Sequence, residues 1–537
     1  MVLDARPPLG HGPLLAASVS GLLTALAFPR PEIWPLAFLG LVPLVLTGRG
    51  RGPKTAFGLG FLAGLAHNAL MLYWLVNVLV FYGGMSWLVS LPIFLLMIGY
   101  LALFPGLFLM GLELGEGYFR LRPGHPAWIL LGAALYTGLE YFKGFFLTGF
   151  PWEPLGAALA AQTTLVQAAD LAGPGGLTFL AVLVNLSAAA AILALRGGGK
   201  KAVVFPTVLV AAVFGLLIGY GALRLAQVNG LTEAAEHRRV SVAQGSIEQT
   251  VKWEPEQRVV TLSIYEELTQ RAAARDPWLV VWPETSAPFF FPYDQPASAW
   301  LKGMVQKTGR PLLFGAPALE KKEGQNFYYN RAYLLDGRGE VRGEYAKVHL
   351  VPYGEYVPLK KFFPFINKIT TAAGDFTAGE IGRLLELDGV RMGVLICYES
   401  IFTYLSRRAV RNGADLLVVM TNDAWFGRSS AAYQHFAQAV LRAVESRRAL
   451  IRAANTGISG IILPSGQVID RRGLFERDVF TGSVPLLKEV TLYTAAGDVL
   501  PRVCLGVALA FYLAAIIRRR KDVAGLKTRG KGTQGTR

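Results

Sequence analysis

Three side chains of this sequence have the chemistry of an acyl-transfer site. Cys397 closes the apolar run Met392-Gly-Val-Leu-Ile-Cys-Tyr-Glu-Ser400, Glu284 ends Val280-Val-Trp-Pro-Glu-Thr285, and Lys347 lies in Tyr345-Ala-Lys-Val-His349. A thiolate attacks a carbonyl carbon, a carboxylate takes the thiol proton, and an ammonium stabilises the oxyanion that forms. Free cysteine is mostly protonated at neutral pH, so such a nucleophile needs a base within reach. Taken singly, the three are ordinary: a lone cysteine is by default a packed thiol, a strand-end glutamate a solvated terminus, and a lysine a surface charge. Their conjunction, each inside its own local pattern, points to a site.

The elements that must position them lie between residues 238 and 487. β-rich runs at 239–243, 278–282, 311–315, 329–335, 341–347, 390–397, 416–420, 450–454 and 460–464 read as strands. Helical periodicity occupies 257–274, 297–306, 403–411 and 432–446. Strands alternating with helices define an α/β domain, and uninterrupted apolar runs define strands covered on both faces. The expected fold is two sheets sandwiched between helix layers. In such folds ligands lie beyond the carboxyl ends of strands, and both Glu284 and Cys397 follow apolar strands directly.

Composition says what surrounds this domain. Of 537 residues 53% are hydrophobic and only 17% charged, against about a quarter charged in soluble proteins. Seven apolar segments precede the domain, at 14–28, 33–46, 56–82, 87–110, 127–147, 177–195 and 202–223, and an eighth follows at 499–517. A spanning helix needs about 20 apolar residues, so the first two are short. The net charge of +16 is explained by membrane topology rather than nucleic acid, since the sequence holds no aromatic-interleaved basic stripe. Arg49, Arg51 and Lys54, then Arg120 and Arg122, then Arg196, Lys200 and Lys201, then Arg518 to Lys521 follow the even-numbered segments. The alternate loops hold only Arg30, with no lysine or arginine in 83–86 or 148–176. The positive-inside rule then puts both termini in the cytoplasm and the α/β domain outside. The resulting plan is a membrane bundle over 1–224, an extracytoplasmic domain over 225–490, a last spanning helix over 491–520 and a basic cytoplasmic tail over 521–537. Segment one lacks a strong basic flank and a small-x-small cleavage site, so it reads as a span and not as a cleaved signal.

Cys504 lies inside the last apolar segment, so a disulfide with Cys397 is not expected. The six histidines are scattered without His-Glu-x-x-His or a Cys/His cluster, and neither a metal nor another cofactor is expected.

The three patterns together resemble the nitrilase, or carbon–nitrogen hydrolase, superfamily, and within it a membrane branch that N-acylates bacterial lipoproteins. The stretches that carry the resemblance are Ala243-Gln-Gly-Ser-Ile247 with Lys252-Trp253, Trp282-Pro-Glu-Thr285, Tyr329-Asn330, and Lys347-Val-His-Leu-Val-Pro-Tyr-Gly-Glu-Tyr-Val-Pro358. Leu395-Ile-Cys-Tyr-Glu-Ser400, Thr421-Asn-Asp-Ala-Trp-Phe-Gly427 and Thr148-Gly-Phe-Pro-Trp152 complete the set. The likeness spans nearly the whole chain, and the one departure is the shortness of the first two apolar segments. It implies an αββα domain on a polytopic bundle in the bacterial inner membrane, a Glu284–Lys347–Cys397 triad and a thioester intermediate. The implied donor is a phospholipid, the acceptor a diacylated apolipoprotein, and the working unit a monomer. By resemblance Glu355 and Glu399 belong to the site, orienting Lys347 or tuning its charge. Trp253 and Tyr398 match positions that contact lipid or frame the nucleophile, and Gly149 and Trp152 sit in a loop that shapes a lipid entrance.

Glu140 and Lys143 share a face of segment five at helical spacing, near its outer end; a functional role, as for intramembrane charges generally, and a simple interfacial ion pair are equal expectations there. Two other functions share parts of this pattern. A membrane-anchored amidase would keep the triad and use water, but soluble nitrilase-type enzymes need no spans. A transporter would carry ionisable residues deep in its helices or show repeats; segments three, four, six and seven carry few charges and no repeat is evident.

Overall fold

The computed structural model describes residues 10–197, 199–248, 255–357 and 375–532. Its first part is helical: α1 (His11–Leu26), α2 (Leu36–Leu39), α3 (Val42–Gly48), α4 (Pro53–Leu72), α5 (Trp74–Asn77), α6 (Trp87–Phe119), α7 (Pro126–Lys143), α8 (Ala169–Arg196) and α9 (Val204–Ala234). Helix covers each of the eight apolar segments, and two of them differ in form from a single helix. Segment 33–46 is not one helix: Pro35, Gly40 and Pro43 divide it into α2 and α3. Segment 56–82 breaks after Leu72 into the short α5 and a single π-helical turn, Val78–Tyr82. Five helices among the described residues are long and apolar enough to cross a membrane: Pro53–Leu72, Trp87–Phe119, Leu165–Arg196, Lys201–Ala234 and Val499–Asp522.

The α/β part runs β1 (Glu236–Gln244), α10 (Pro255–Ala273), β2 (Leu279–Val281), α11 (Gln295–Thr308), β3 (Leu312–Lys322), β4 (Gln325–Leu335), β5 (Val341–Ala346), β6 (Leu385–Leu387), β7 (Val390–Ile396), α12 (Thr403–Arg411), β8 (Leu416–Thr421), α13 (Ala431–Ser446), β9 (Leu450–Ala454), β10 (Ser459–Ile462), β11 (Val468–Arg472) and β12 (Asp478–Leu486). Then follow α14 (Leu492–Ala496) and α15 (Val499–Gly532). Two six-stranded sheets form, ordered β12-β1-β2-β3-β4-β5 and β11-β10-β9-β8-β7-β6. The inner strands β1–β2–β3 and β7–β8–β9 are parallel, and the outer strands are antiparallel. The expected sandwich is what forms; β6, β11 and β12 are strands that the sequence reading did not contain.

Period-two alternation divides the side chains between layers. On β8, Leu416, Val418 and Met420 join Val242, Val281 and Leu313 between the sheets. Leu417 and Val419 face the other way, into a core that also holds Leu405, Leu441 and Val444 and runs on without a break into Leu159, Val166, Leu177 and Leu186 of the bundle. The helix layer over this sheet is therefore the layer that meets the membrane part. Every residue of α13 except Tyr433 is buried, as a helix enclosed on all sides must be. At its end Arg447 donates to Asp170 of α8 at 2.7 Å, and Arg224 of α9 donates to the same carboxylate at 2.7 Å.

Candidate active site

Glu284 leaves β2 through Pro283, and Gly315 on β3 lets it turn there. A Cβ on Gly315 would lie 2.5 Å from the Thr285 nitrogen and 2.8 Å from the Glu284 Cα, so only glycine admits this close approach. Cys397 follows β7 with φ +52°, a left-handed conformation that costs a non-glycine residue roughly 1–2 kcal/mol. Lys347 follows β5, and Glu355 comes from the loop after it. Because β2 and β7 end at the same edge of facing sheets, the three sequence patterns converge.

Lys347 is 1% exposed, and its ammonium stands 2.9 Å from Glu355 Oε1 and 3.6 Å from Glu284 Oε1. Asn330 Nδ2 donates to both carboxylates, at 2.7 Å to Glu284 and 3.2 Å to Glu355. The Asn422 backbone N–H holds Glu284 Oε2 at 2.9 Å, and the Val351 N–H holds Glu355 Oε2 at 2.8 Å. Against burial, Glu355 and then Glu284 keep the Lys347 ammonium above its ordinary pKa, so it stays charged. The Cys397 thiol is pushed up, first by withdrawal from water and then by the Glu284 charge, with Lys347 pulling the other way. A raised thiol is protonated at rest, so its proton must leave during any attack by the sulfur.

Glu399 ties the lysine segment to the cysteine turn. One oxygen accepts from the Val348 and His349 N–H groups at 2.6 and 3.1 Å, the other from the Ile396 N–H at 2.6 Å. The Tyr345 hydroxyl donates to the same carboxylate at 3.0 Å. Its action on Lys347 is through the backbone that follows the lysine. Burial nonetheless pushes the Glu399 carboxyl up from 4.5 to about 7, against those three N–H donors. The folded protein thus holds this proton more tightly than the unfolded chain. That contribution to stability is complete below about pH 4.5 and is lost as pH rises through about 7. In thermal melts between about pH 5 and pH 8, wild type is expected to lose melting temperature more steeply than Glu399→Gln, whose amide does not titrate. Parallel pH profiles would contradict this.

Tyr398 donates to the Gly149 carbonyl at 3.3 Å. Gly149 has φ +81°, and a Cβ there would strike the Gly144 carbonyl. Trp152 is 2% exposed, donates to Gln434 Oε1 at 2.9 Å and lies over the His435 ring, centroids 5.6 Å apart. It therefore packs on the imidazole that reaches the Cys397 carbonyl. Trp253 lies outside the described residues. Glu140 does not pair with Lys143; it accepts from the Leu155 N–H and the Thr178 hydroxyl at 2.9 and 2.7 Å, because the loop after α7 folds back onto it.

Residues that the sequence reading left without a role complete the site. Asn330 and Asn422 lie in stretches already singled out, and Asn422 with Asp423 follows an apolar strand as Glu284 and Cys397 do. Tyr345 lies in the lysine stretch itself, whereas His435 and Arg452 carry no local signal. A cavity of about 410 Å³ is lined by Gln434 together with Arg30, Tyr73, Arg428 and Tyr433 among others; Glu284, Lys347 and Cys397 do not line it. Among the described residues no group of histidine, cysteine and acidic side chains is arranged to hold a metal ion.

An αββα domain with a Glu–Lys–Cys cluster at its strand ends, seated on a helical membrane bundle, defines a membrane-bound protein of the carbon–nitrogen hydrolase class. Carbon-nitrogen hydrolase is also the family that matches residues 239–490, and the apolipoprotein N-acyltransferase N-terminal domain matches residues 20–187. The apolipoprotein N-acyltransferase of Geobacter metallireducens is 40% identical over 515 residues, covering 95% of this chain and 96% of that one. Those of Azotobacter vinelandii and Methylococcus capsulatus are 34% and 32% identical, each over 95% of this chain and over 96% and 97% of theirs. The chain belongs to the apolipoprotein N-acyltransferase family. An amidase of the nitrilase superfamily from Nesterenkonia aligns with 47% of this chain and 92% of its own, at 23% identity and TM-score 0.36.

Proposed function

We infer that this protein transfers an acyl chain from a phospholipid to the α-amine of an S-diacylglyceryl cysteine at the N-terminus of a lipoprotein, through a thioester on Cys397. As the S–H proton passes to Glu284, the sulfur attacks an ester carbonyl. Lys347 and the Tyr398 N–H stabilise the oxyanion. The ester C–O bond then breaks, Glu284 returns the proton to the leaving oxygen, and a lysophospholipid departs. In the second half the amine attacks the thioester carbonyl, Glu284 takes its proton, the C–S bond breaks, and Glu284 passes that proton to the sulfur, leaving the amide and the Cys397 thiol. Glu355 and Asn330 hold the lysine and the base, and Glu399 ties the backbone after Lys347 to the cysteine turn. Gly149, Trp152 and Trp253 belong to the lipid-binding side of this reading.

The observation that carries it is the joining of nucleophile and bundle. Tyr398, next to Cys397, hydrogen-bonds to the loop after α7, and the core around α13 continues into the membrane helices. A soluble amide would need neither. The lysine and arginine distribution supports a bacterial inner-membrane protein with both termini inside and residues 225–490 on the periplasmic face. All the groups invoked come from one chain, and the working unit is the monomer. The purified protein, given a defined phospholipid and a diacylated lipopeptide, is expected to yield N-acylated lipopeptide and lysophospholipid in equal amounts. Turnover of small amides with no acylated lipopeptide would instead establish a hydrolase.

A further inference from the structure

Beneath the cysteine turn lies a buried polar cluster that the reaction above does not use. His435, fully buried, places Nδ1 2.9 Å from Asp423 Oδ1 and Nε2 3.1 Å from the Cys397 carbonyl oxygen. The same Nε2 is 2.7 Å from Ser400 Oγ, which itself reaches the Cys397 carbonyl at 2.9 Å. Arg452 donates to Asp423 Oδ2 at 2.8 Å and also lies 3.0 Å from His435 Nδ1, and the Thr421 hydroxyl donates to Asp423 Oδ1 at 2.8 Å. Trp152 covers the imidazole from the membrane side and Phe426 meets its edge.

We propose that His435 is a positioning residue for the oxyanion site, and that it works by fixing the peptide between Cys397 and Tyr398. That peptide is planar, so its C=O and N–H point in opposite directions and turn together. With His435 Nε2 and Ser400 Oγ set 3.1 and 2.9 Å beneath it, the Cys397 carbonyl is kept from turning, which aims the Tyr398 N–H at the other face, where the oxyanion forms. The need for such a hold is visible in the backbone: Cys397 is in the left-handed region at φ +52°, and residues there persist only where their surroundings over-determine them. Asp423 sets the ring orientation through Nδ1, in the way a carboxylate orients an imidazole elsewhere. The stacking of Trp152 then makes the membrane loop part of the same support.

The inference rests on acyl-enzyme formation at Cys397, and two rates on one thiol separate the two. Acylation from phospholipid forms an oxyanion; alkylation of Cys397 by iodoacetamide, read by peptide mass, is a displacement at carbon and forms none. His435→Ala is expected to slow acylation by about 10²-fold, the scale of a misplaced catalytic group, with alkylation unchanged. His435→Gln, which retains a donor, recovers part of the acylation rate, and Ser400→Ala costs less than His435→Ala. If His435→Ala does not fold, the Gln and Ser400→Ala variants carry the same comparison. Equal loss of acylation and alkylation, or loss of neither, overturns the proposal. Failure of wild type to acylate at all would overturn the thioester reading itself.

Discussion

Glu284→Gln is expected to slow acylation of Cys397 by about 10³-fold, within the range for loss of a positioned general base. The thiol is held protonated by burial and by the Glu284 charge itself, so no standing thiolate is available to bypass the base. The amide also fits badly: Glu284 Oε1 accepts from Asn330 and Oε2 from the Asn422 N–H, and an amide has only one acceptor for two donors. Single-turnover acylation from a labelled phospholipid measures the effect. A loss of less than about tenfold would remove Glu284 from the proton transfer and leave it a structural ion-pair partner.

Lys347→Met is expected to act on both rate and stability. Loss of an oxyanion-stabilising group costs about 10²–10³-fold in the chemical step. The lysine also lies buried between Glu355 and Glu284, at 2.9 and 3.6 Å, so removing it leaves two carboxylates close together without a cation. Breaking a buried pair in this way costs about 3–5 kcal/mol. One of the carboxyls must then take up a proton, so the loss grows with rising pH. The double variant Lys347→Met/Glu355→Gln is expected to regain much of the stability and none of the acylation rate. Denaturation midpoints and acylation rates on the same preparations test both halves. An unchanged midpoint for the single variant would contradict the buried-charge argument.

What the sequence revealed of this site, it revealed through local patterns. Glu284 and Cys397 were legible because an apolar run followed by a polar residue marks a strand end, and strand ends in α/β folds face ligands. Lys347 and Glu355 were legible through a long matching stretch. The closing contacts come from elsewhere in the chain: Tyr345 reaches Glu399 from β5, and His435 reaches the Cys397 carbonyl from α13. No spacing rule connects such positions. The missed strands have a similar origin. β12 contains Gly482 and Pro485 and lacks clean alternation, and it is a strand because β1 offers it nine paired positions across more than two hundred residues. Glu140 was read against its helical neighbour Lys143, yet the chain after α7 folds back and supplies nearer donors.

Intact mass of the purified protein after incubation with one defined phospholipid, compared between wild type and Cys397→Ala, tests the thioester most directly. Wild type is expected to gain the mass of one acyl chain, to lose it to hydroxylamine, and to discharge it when a diacylated lipopeptide is added; Cys397→Ala gains nothing. An acyl adduct of equal size on both proteins, or one resistant to hydroxylamine, would contradict a thioester on Cys397.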